Sequence, residues 1–240
     1  MAIPKEFSNI VQRQLNIFAA WLPVVTNFSL GDYGIISDGV FSPLGNIKKD
    51  FNINFDEGAG NPAVLDFTSE GAVITKFVGN AKVDVIPAGA VDAKIEFDFT
   101  RERSFLVKAP EINVKTMQSL QQIGIKLQAL DGWDSKWKVV HQVFTAIDPV
   151  IISSIQAATK VSFSGEAKAL GQMKLGGADV AVNTSKALGL KIHGKTGPIG
   201  LGLFQVKTKL FGGMKVDILA NAPVELQRLD PSKGNIEDDL

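Results

Sequence analysis

The sequence predicts an α+β fold: a mainly antiparallel sheet, accompanied by amphipathic helices and carrying two long hairpins. Three observations predict it. Apolar residues recur at three- and four-residue spacing in the opening segment and again over 114–130. Apolar and polar residues alternate over 81–100 and again from 161 to 193. Gly- and Pro-bearing turns punctuate the alternating stretches.

The first helix carries Phe7, Ile10, Val11, Leu15, Phe18, Trp21 and Leu22 on one stripe, with Glu6, Gln12, Arg13 and Asn16 opposite. Pro4 suits its first turn, where a missing N–H costs nothing. Pro23 ends it, because the ring clashes with the preceding turn. Docking of this helix on a sheet is the first expectation, and contact with lipid the second. Residues 30–62 are rich in Gly, Asp and Asn and read as loops with one or two strands, Phe51 to Phe55 among them. Lys48 and Lys49 read as a solvated turn, or as a contact with a membrane surface.

The first hairpin is the strongest periodic signal. Ala81, Val83 and Val85 alternate with Lys82 and Asp84, and Ile86 to Ala90 reads as a turn. Val91, Ala93, Ile95, Phe97 and Phe99 then alternate with Asp92, Lys94, Glu96, Asp98 and Thr100. A period of two places the apolar set on one face and the polar set on the other. Burying the Val, the Ile and the two Phe is worth roughly 6–12 kcal/mol, at about 1.5–3 each. The ten-residue length also matches a transmembrane β-strand, which needs about 9–11 residues.

A second helix is expected over 114–130, from Met117, Leu120, Ile123, Leu127 and Leu130, closed by Asp131 and Gly132. Trp137 to Ile147 reads as a largely buried strand, and Asp148 with Pro149 as a short helical turn. In the second hairpin Val161, Phe163, Gly165, Ala167 and Ala169 alternate with Ser162, Ser164, Glu166 and Lys168. A turn with Gly171, Gly176 and Gly177 follows, then Val180 and Val182, then Leu188, Leu190 and Ile192. Ile199 to Phe204 and Met214 to Leu219 read as closing strands. From Asn221 the chain reads as a short helix or tail. The expected organisation is one domain over 1–220 and a short acidic tail over 221–240.

Composition excludes several function classes. The chain of 240 residues has no Cys, so thiol chemistry, disulfides, Cys-based metal sites and S-acylation are absent. Only His141 and His193 remain as imidazole ligands; the first reads as structural and the second as solvated. Twenty-five basic residues balance 25 acidic ones, which argues against a nucleic-acid partner. No apolar run reaches the roughly 18 residues of a spanning helix. No basic leader with a cleavage site opens the chain, so its two Asn-X-Ser/Thr triplets read as chance. Gly189 to Thr196 fits the phosphate-binding loop pattern letter for letter, but the inner residues alternate as a strand and Gly197 and Pro198 follow. A nucleotide is therefore not expected. No catalytic motif or cofactor is expected either, and the chain reads as no enzyme.

Neutrality hides an asymmetry. Residues 50–103 hold ten acids against five bases, a net of −5. Residues 160–215 hold nine Lys against two acids, a net of +7, and residues 225–240 hold five acids against two bases, a net of −3. A basic face attracts anionic lipid, at about 1 kcal/mol per well-placed Lys or Arg. Complementarity between the two hairpins is the other reading.

The order of elements resembles the gasdermin amino-terminal, pore-forming domain. Arg13, Gln14, Leu15 and Asn16 resemble the family's opening stretch. The hairpin strands, 72–86 with 91–101 and 157–169 with 178–194, fall where the family's inserting strands stand. The resemblance covers about 1–220 and rests mostly on pattern and order. It implies a twisted sheet whose two hairpins rebuild into strands of a transmembrane β-barrel. At 240 residues the chain is expected to lack the large inhibitory domain of vertebrate gasdermins, and it has no amino-terminal Cys of the bacterial pattern. It is most similar in these respects to fungal gasdermin-like regulators of cell death, which act in allorecognition, the heterokaryon incompatibility reaction.

The resemblance implies a protein that is cytoplasmic when soluble and lies at the plasma membrane when assembled. Acidic phospholipids are the expected partner, with a homo-oligomer or a hetero-oligomer with a variant homologue. On this reading Lys5, Arg13, Lys48 and Lys49 contact lipid head groups, and Phe7, Phe18 and Trp21 add apolar contact. Val91, Ile95, Phe97, Phe99, Val161, Phe163, Val180 and Val182 face lipid, while Asp92, Lys94, Glu96 and Asp98 line the pore. The alternative is a soluble β-rich lipid- or ligand-binding module, or a structural component such as that of a virion, with the same strands as a permanent core. An enzyme of unrecognised type is the third reading.

Overall fold

The computed structural model describes residues 3–37, 40–171, 175, 180–208 and 224–228. In chain order the elements are α1 (Ile3–Leu15), β1 (Phe18–Ala19), β2 (Asp32–Ser37), β3 (Val40–Asn46), α2 (Ile47–Asp50), β4 (Glu57–Ala59), β5 (Ala63–Thr68), β6 (Ala72–Val78), β7 (Ala81–Val83) and β8 (Ala93–Phe99). They continue as β9 (Phe105–Met117), α3 (Leu120–Gln128), β10 (Lys138–Ile147), β11 (Val150–Ser154), β12 (Thr159–Gly165), α4 (Ala167–Gly171), β13 (Ala181–Thr184), β14 (Leu188–His193), β15 (Gly197–Thr208) and β16 (Val224–Arg228). This is the expected α+β composition, with antiparallel pairing throughout the described ladders. The sheets are open; none closes into a barrel among the described residues.

Two compact units interleave along the chain. The first is built mainly of Pro62–Asn113 and Thr145–Gly197, the second mainly of Pro4–Asn61, Val114–Phe144 and the described residues from Pro198 onward.

In the first unit β8 is central to a five-stranded sheet. It pairs with β6 from Ala72↔Phe99 to Val78↔Ala93, and on its other side with β12 from Thr159↔Phe99 to Gly165↔Ala93. β7 adds to β6 and β13 to β12, giving the order β13-β12-β8-β6-β7. Strict alternation in β8 and β12 turns Phe97, Phe99, Val161 and Phe163 to one face. There they join Leu106 of β9, Val150 and Ile152 of β11 and Leu170 of α4 in one buried cluster. Phe97 and Phe163 meet edge to face, with centroids 5.8 Å apart. β11 pairs separately with β9 and with β14.

In the second unit β2 and β3 form a hairpin, and β2 also pairs with β10 at Gly34 and Tyr33. β15 pairs with β1 and with β16. Its core gathers Phe28, Phe41, Ile47, Leu127, Val139 and Phe204.

Several boundaries differ from the sequence expectation. The first helix stops at Leu15, well before Pro23. Asn16 takes a left-handed φ of 55°, and its N–H donates to the Gln12 carbonyl at 2.9 Å, an ending that Asn tolerates. Phe18 then pairs with Leu201 as strand, and Gly200 beside it leaves the room that Ile17 fills. Phe51 to Phe55 is not a strand, because Asn52 turns left-handed and the Ile53 N–H bonds back to the Ile47 carbonyl at 3.1 Å. The expected second helix begins only at Leu120; residues 114–117 belong to β9, so Met117 faces a core as strand. No helical turn forms at Asp148 and Pro149. Asp148, with φ 46°, turns the chain directly into β11.

The hairpins also differ in detail. The partner of β8 is β6, while 81–83 folds back on the far side of β6. Ala167 and Ala169 lie in α4, and β14 pairs with β11 instead of extending the second hairpin. Val224–Arg228 is a strand, where a helix or tail was expected. The expected strand at Met214 to Leu219, the turn at Gly176 and Gly177, and the rest of the acidic tail lie outside the described residues.

Candidate functional site

The five-stranded sheet gathers most of the residues expected to insert or to line a pore. On its inner face Phe97, Phe99, Val161, Phe163 and Val180 are buried, and Ile95 and Val182 are partly so. Val91 is 80 % exposed and precedes β8, in the same connection as Asp92. On the outer face Lys94, Glu96 and Asp98 stand in a row. Lys94 pairs with Glu96 at 3.5 Å, and its ammonium lies 4.2 Å from the centroid of the Phe77 ring. Lys160 of β12 reaches both Glu96 and Asp98. The acidic first hairpin and the basic second one therefore meet side by side. The sequence pointed to this complementarity but not to Lys160 as the residue that makes it.

The residues expected to contact lipid head groups lie in the second unit. Lys5 and Arg13 are exposed on α1, and Lys48 and Lys49 are exposed on α2. Asn46 caps α2 by accepting from the Lys48 N–H at 3.0 Å, which holds the two cations on a defined turn instead of a loose loop. The Lys48 ammonium lies 5.6 Å from the centroid of the Phe55 ring. Phe7 and Phe18 point inward and are buried; Trp21 is half-buried, its ring 6.2 Å from that of Phe7. An amphipathic helix shows the same spacing whether its apolar stripe meets a core or a bilayer, so the pattern alone did not distinguish these.

Beside α2 an aromatic group forms from Tyr33, Phe51, Trp133 and Trp137, with the closest centroids, Tyr33 to Trp137, 4.9 Å apart. Burial raises the Tyr33 pKa above 10.0, and the Asp50 carboxylate raises it further by its charge and by accepting the phenol's hydrogen bond.

The second unit also holds a cavity of about 760 Å³. Thr116 at the end of β9, Ser119 and Gln121 at the start of α3, His141 and Gln142 of β10, and Phe204 of β15 wall it. Sequence reasoning read His141 as structural and missed the cavity, because its walls come from four separate stretches of chain. His141 is buried and its ring lies 6.0 Å from Phe204, edge to face.

His193 is held more firmly than a solvated side chain. Its Nε2 donates to the Leu175 carbonyl at 2.6 Å, and its ring stacks on Phe163. The segment matching the phosphate-loop pattern runs as β14 through a turn at Gly194 into β15, and no helix follows it. Among the described residues no cluster of three or more His, Asp or Glu side chains is placed to hold a metal ion, and no helix is long and apolar enough to cross a membrane. The chain matches no protein-family model and no curated protein.

Proposed function

We propose that this chain is a membrane pore-forming protein of gasdermin-like type. It binds acidic phospholipids through exposed basic residues, oligomerises and permeabilises the plasma membrane, causing cell death of the kind used in allorecognition. One observation carries the reading. β8 and β12 are amphipathic, of membrane-compatible chemistry on one face and charged on the other, and are already paired in register over seven residues. The pair can exchange its protein core for lipid without changing its ladder.

Energetics favour exchange over simple opening. Exposing Phe97, Phe99, Val161 and Phe163 to water costs roughly 6–12 kcal/mol, whereas lipid keeps them out of water. One copy supplies too few strands to close a large barrel, and an open edge in hydrocarbon strands unpaired backbone groups. Oligomerisation therefore accompanies insertion.

The test is dye release from liposomes with acidic lipid against neutral ones. Release only from acidic liposomes, accompanied by assembly into oligomers, is the expected result. Absence of release and of membrane association in every form of the chain removes the proposal. The second reading, a soluble β-rich lipid- or ligand-binding or structural module, is supported by the depth of burial of Phe99, Val161 and Phe163, each at 0 % exposure. Phe97→Asp separates the two. A pore loses leakage at retained lipid binding, and a permanent core simply unfolds.

A further inference from the structure

We infer that the cavity walled by Thr116, Ser119, Gln121, His141, Gln142 and Phe204 binds a neutral, hydroxyl-rich ligand, a sugar. Its volume of about 760 Å³ lies within the range of small-molecule sites. No Asp, Glu, Lys or Arg lines it. A charged ligand would lose its hydration there with no opposite charge to offset the loss.

The wall is nevertheless polar. The Gln amides, the Ser and Thr hydroxyls and the imidazole offer both donors and acceptors. A sugar hydroxyl is itself both donor and acceptor, so the two chemistries match. A purely apolar ligand would strip these groups of water and return nothing. Phe204, with Met117 and Leu120 at the margin, supplies apolar surface for the C–H face of a sugar ring.

The walls are also positioned in advance. Gln142 lies against Gly202 so closely that a Cβ there would come within 2.7 Å of its amide oxygen. Ser119 takes a left-handed φ of 55° at the start of α3, and its side chain makes no capping hydrogen bond. Its hydroxyl is turned to use outside the helix. The site does not depend on the pore reading; it stands if the chain never permeabilises a membrane.

The same sugar chemistry is offered by a free oligosaccharide and by the head group of a neutral glycolipid. The probe is an array of neutral oligosaccharides that also carries sialylated and sulfated ones, read with the labelled full chain. Binding to one or more neutral glycans is expected, reduced at least ten-fold by Gln142→Ala and by Gln121→Ala with unchanged circular dichroism. Absence of any neutral-glycan signal, preference for acidic glycans, or binding indifferent to both substitutions overturns the site. Co-sedimentation with phosphatidylcholine vesicles, with and without glucosylceramide, then identifies the source. Retention on the glucosylceramide vesicles alone, competed by the soluble glycan, assigns a head group. Glycan binding without retention assigns a free sugar.

Discussion

Lys160 and Glu96 join the two hairpins: the Lys160 ammonium on β12 lies 3.4 Å from the Glu96 carboxylate on β8, and the same ammonium lies 3.6 Å from Asp98. Asp98 stands directly opposite Lys160 in the ladder. The ion pairs sit on the outer face, with Lys160 about half exposed, so they set register more than they add stability.

Reversing Lys160 tests that seam. Lys160→Glu places like charges directly across the ladder, which is unfavourable. The expected loss is about 1 kcal/mol or less, because the pair is exposed to solvent. Adding Asp98→Lys restores most of it. Urea unfolding of the two single variants and the double variant measures the coupling, and a double variant no better than the sum of its parts would show that the seam carries no specific charge pairing.

Lys48 and Lys49 are the best-placed cations for a membrane surface. Replacing both with Glu leaves stability within about 0.5 kcal/mol, since both are exposed and neither closes a core. Removing two favourable contacts of about 1 kcal/mol each lowers affinity for acidic vesicles on the order of thirty-fold. Vesicle sedimentation at fixed salt measures it. Unchanged sedimentation would move the lipid contact off α2.

β16 covers part of an edge of β15, from Phe204↔Arg228 to Thr208↔Val224. Truncation after residue 221 uncovers that edge, and an exposed row of N–H and C=O groups is a template for another chain. The shortened chain is expected to show larger species by size exclusion with light scattering, and faster liposome leakage. A monomeric truncated chain with unaltered leakage would give β16 no such part.

Tyr33 predicts an alkaline limit. Its raised pKa means that the folded chain holds the proton more tightly than the unfolded chain does. The corresponding stability is fully present below pH 10.0 and is lost as pH rises beyond it. Asp50→Asn removes the neighbouring charge and weakens that dependence. Thermal unfolding from pH 8 to 11 reads both.

Alternation was the most legible feature, because a period of two has one structural meaning when sustained. Over 93–99 and 159–165 it located both strands that pair side by side. Helical spacing was less decisive. The stripe from Phe7 to Leu22 continued past Asn16, and only the pairing of Phe18 with Leu201 shows where helix yields to strand. Met117 satisfied a helical spacing while lying on β9, since one residue at an overlap of two periods belongs to either. Long-range partners were least legible. Neither β14 pairing with β11 nor the cavity beside His141 has a local signature, because each joins stretches far apart in sequence.

The interleaving of the two units has a genetic consequence. The chain passes between them at 61/62, 113/114, 144/145 and 197/198, and the middle two crossings fall inside β9 and β10. Neither unit can be inherited as a contiguous block. A single recombination point between two divergent alleles at any of these crossings joins parts of both units from different parents. Viable chimaeras then require that each parent's strands still accept the other's partners, which favours alleles kept whole.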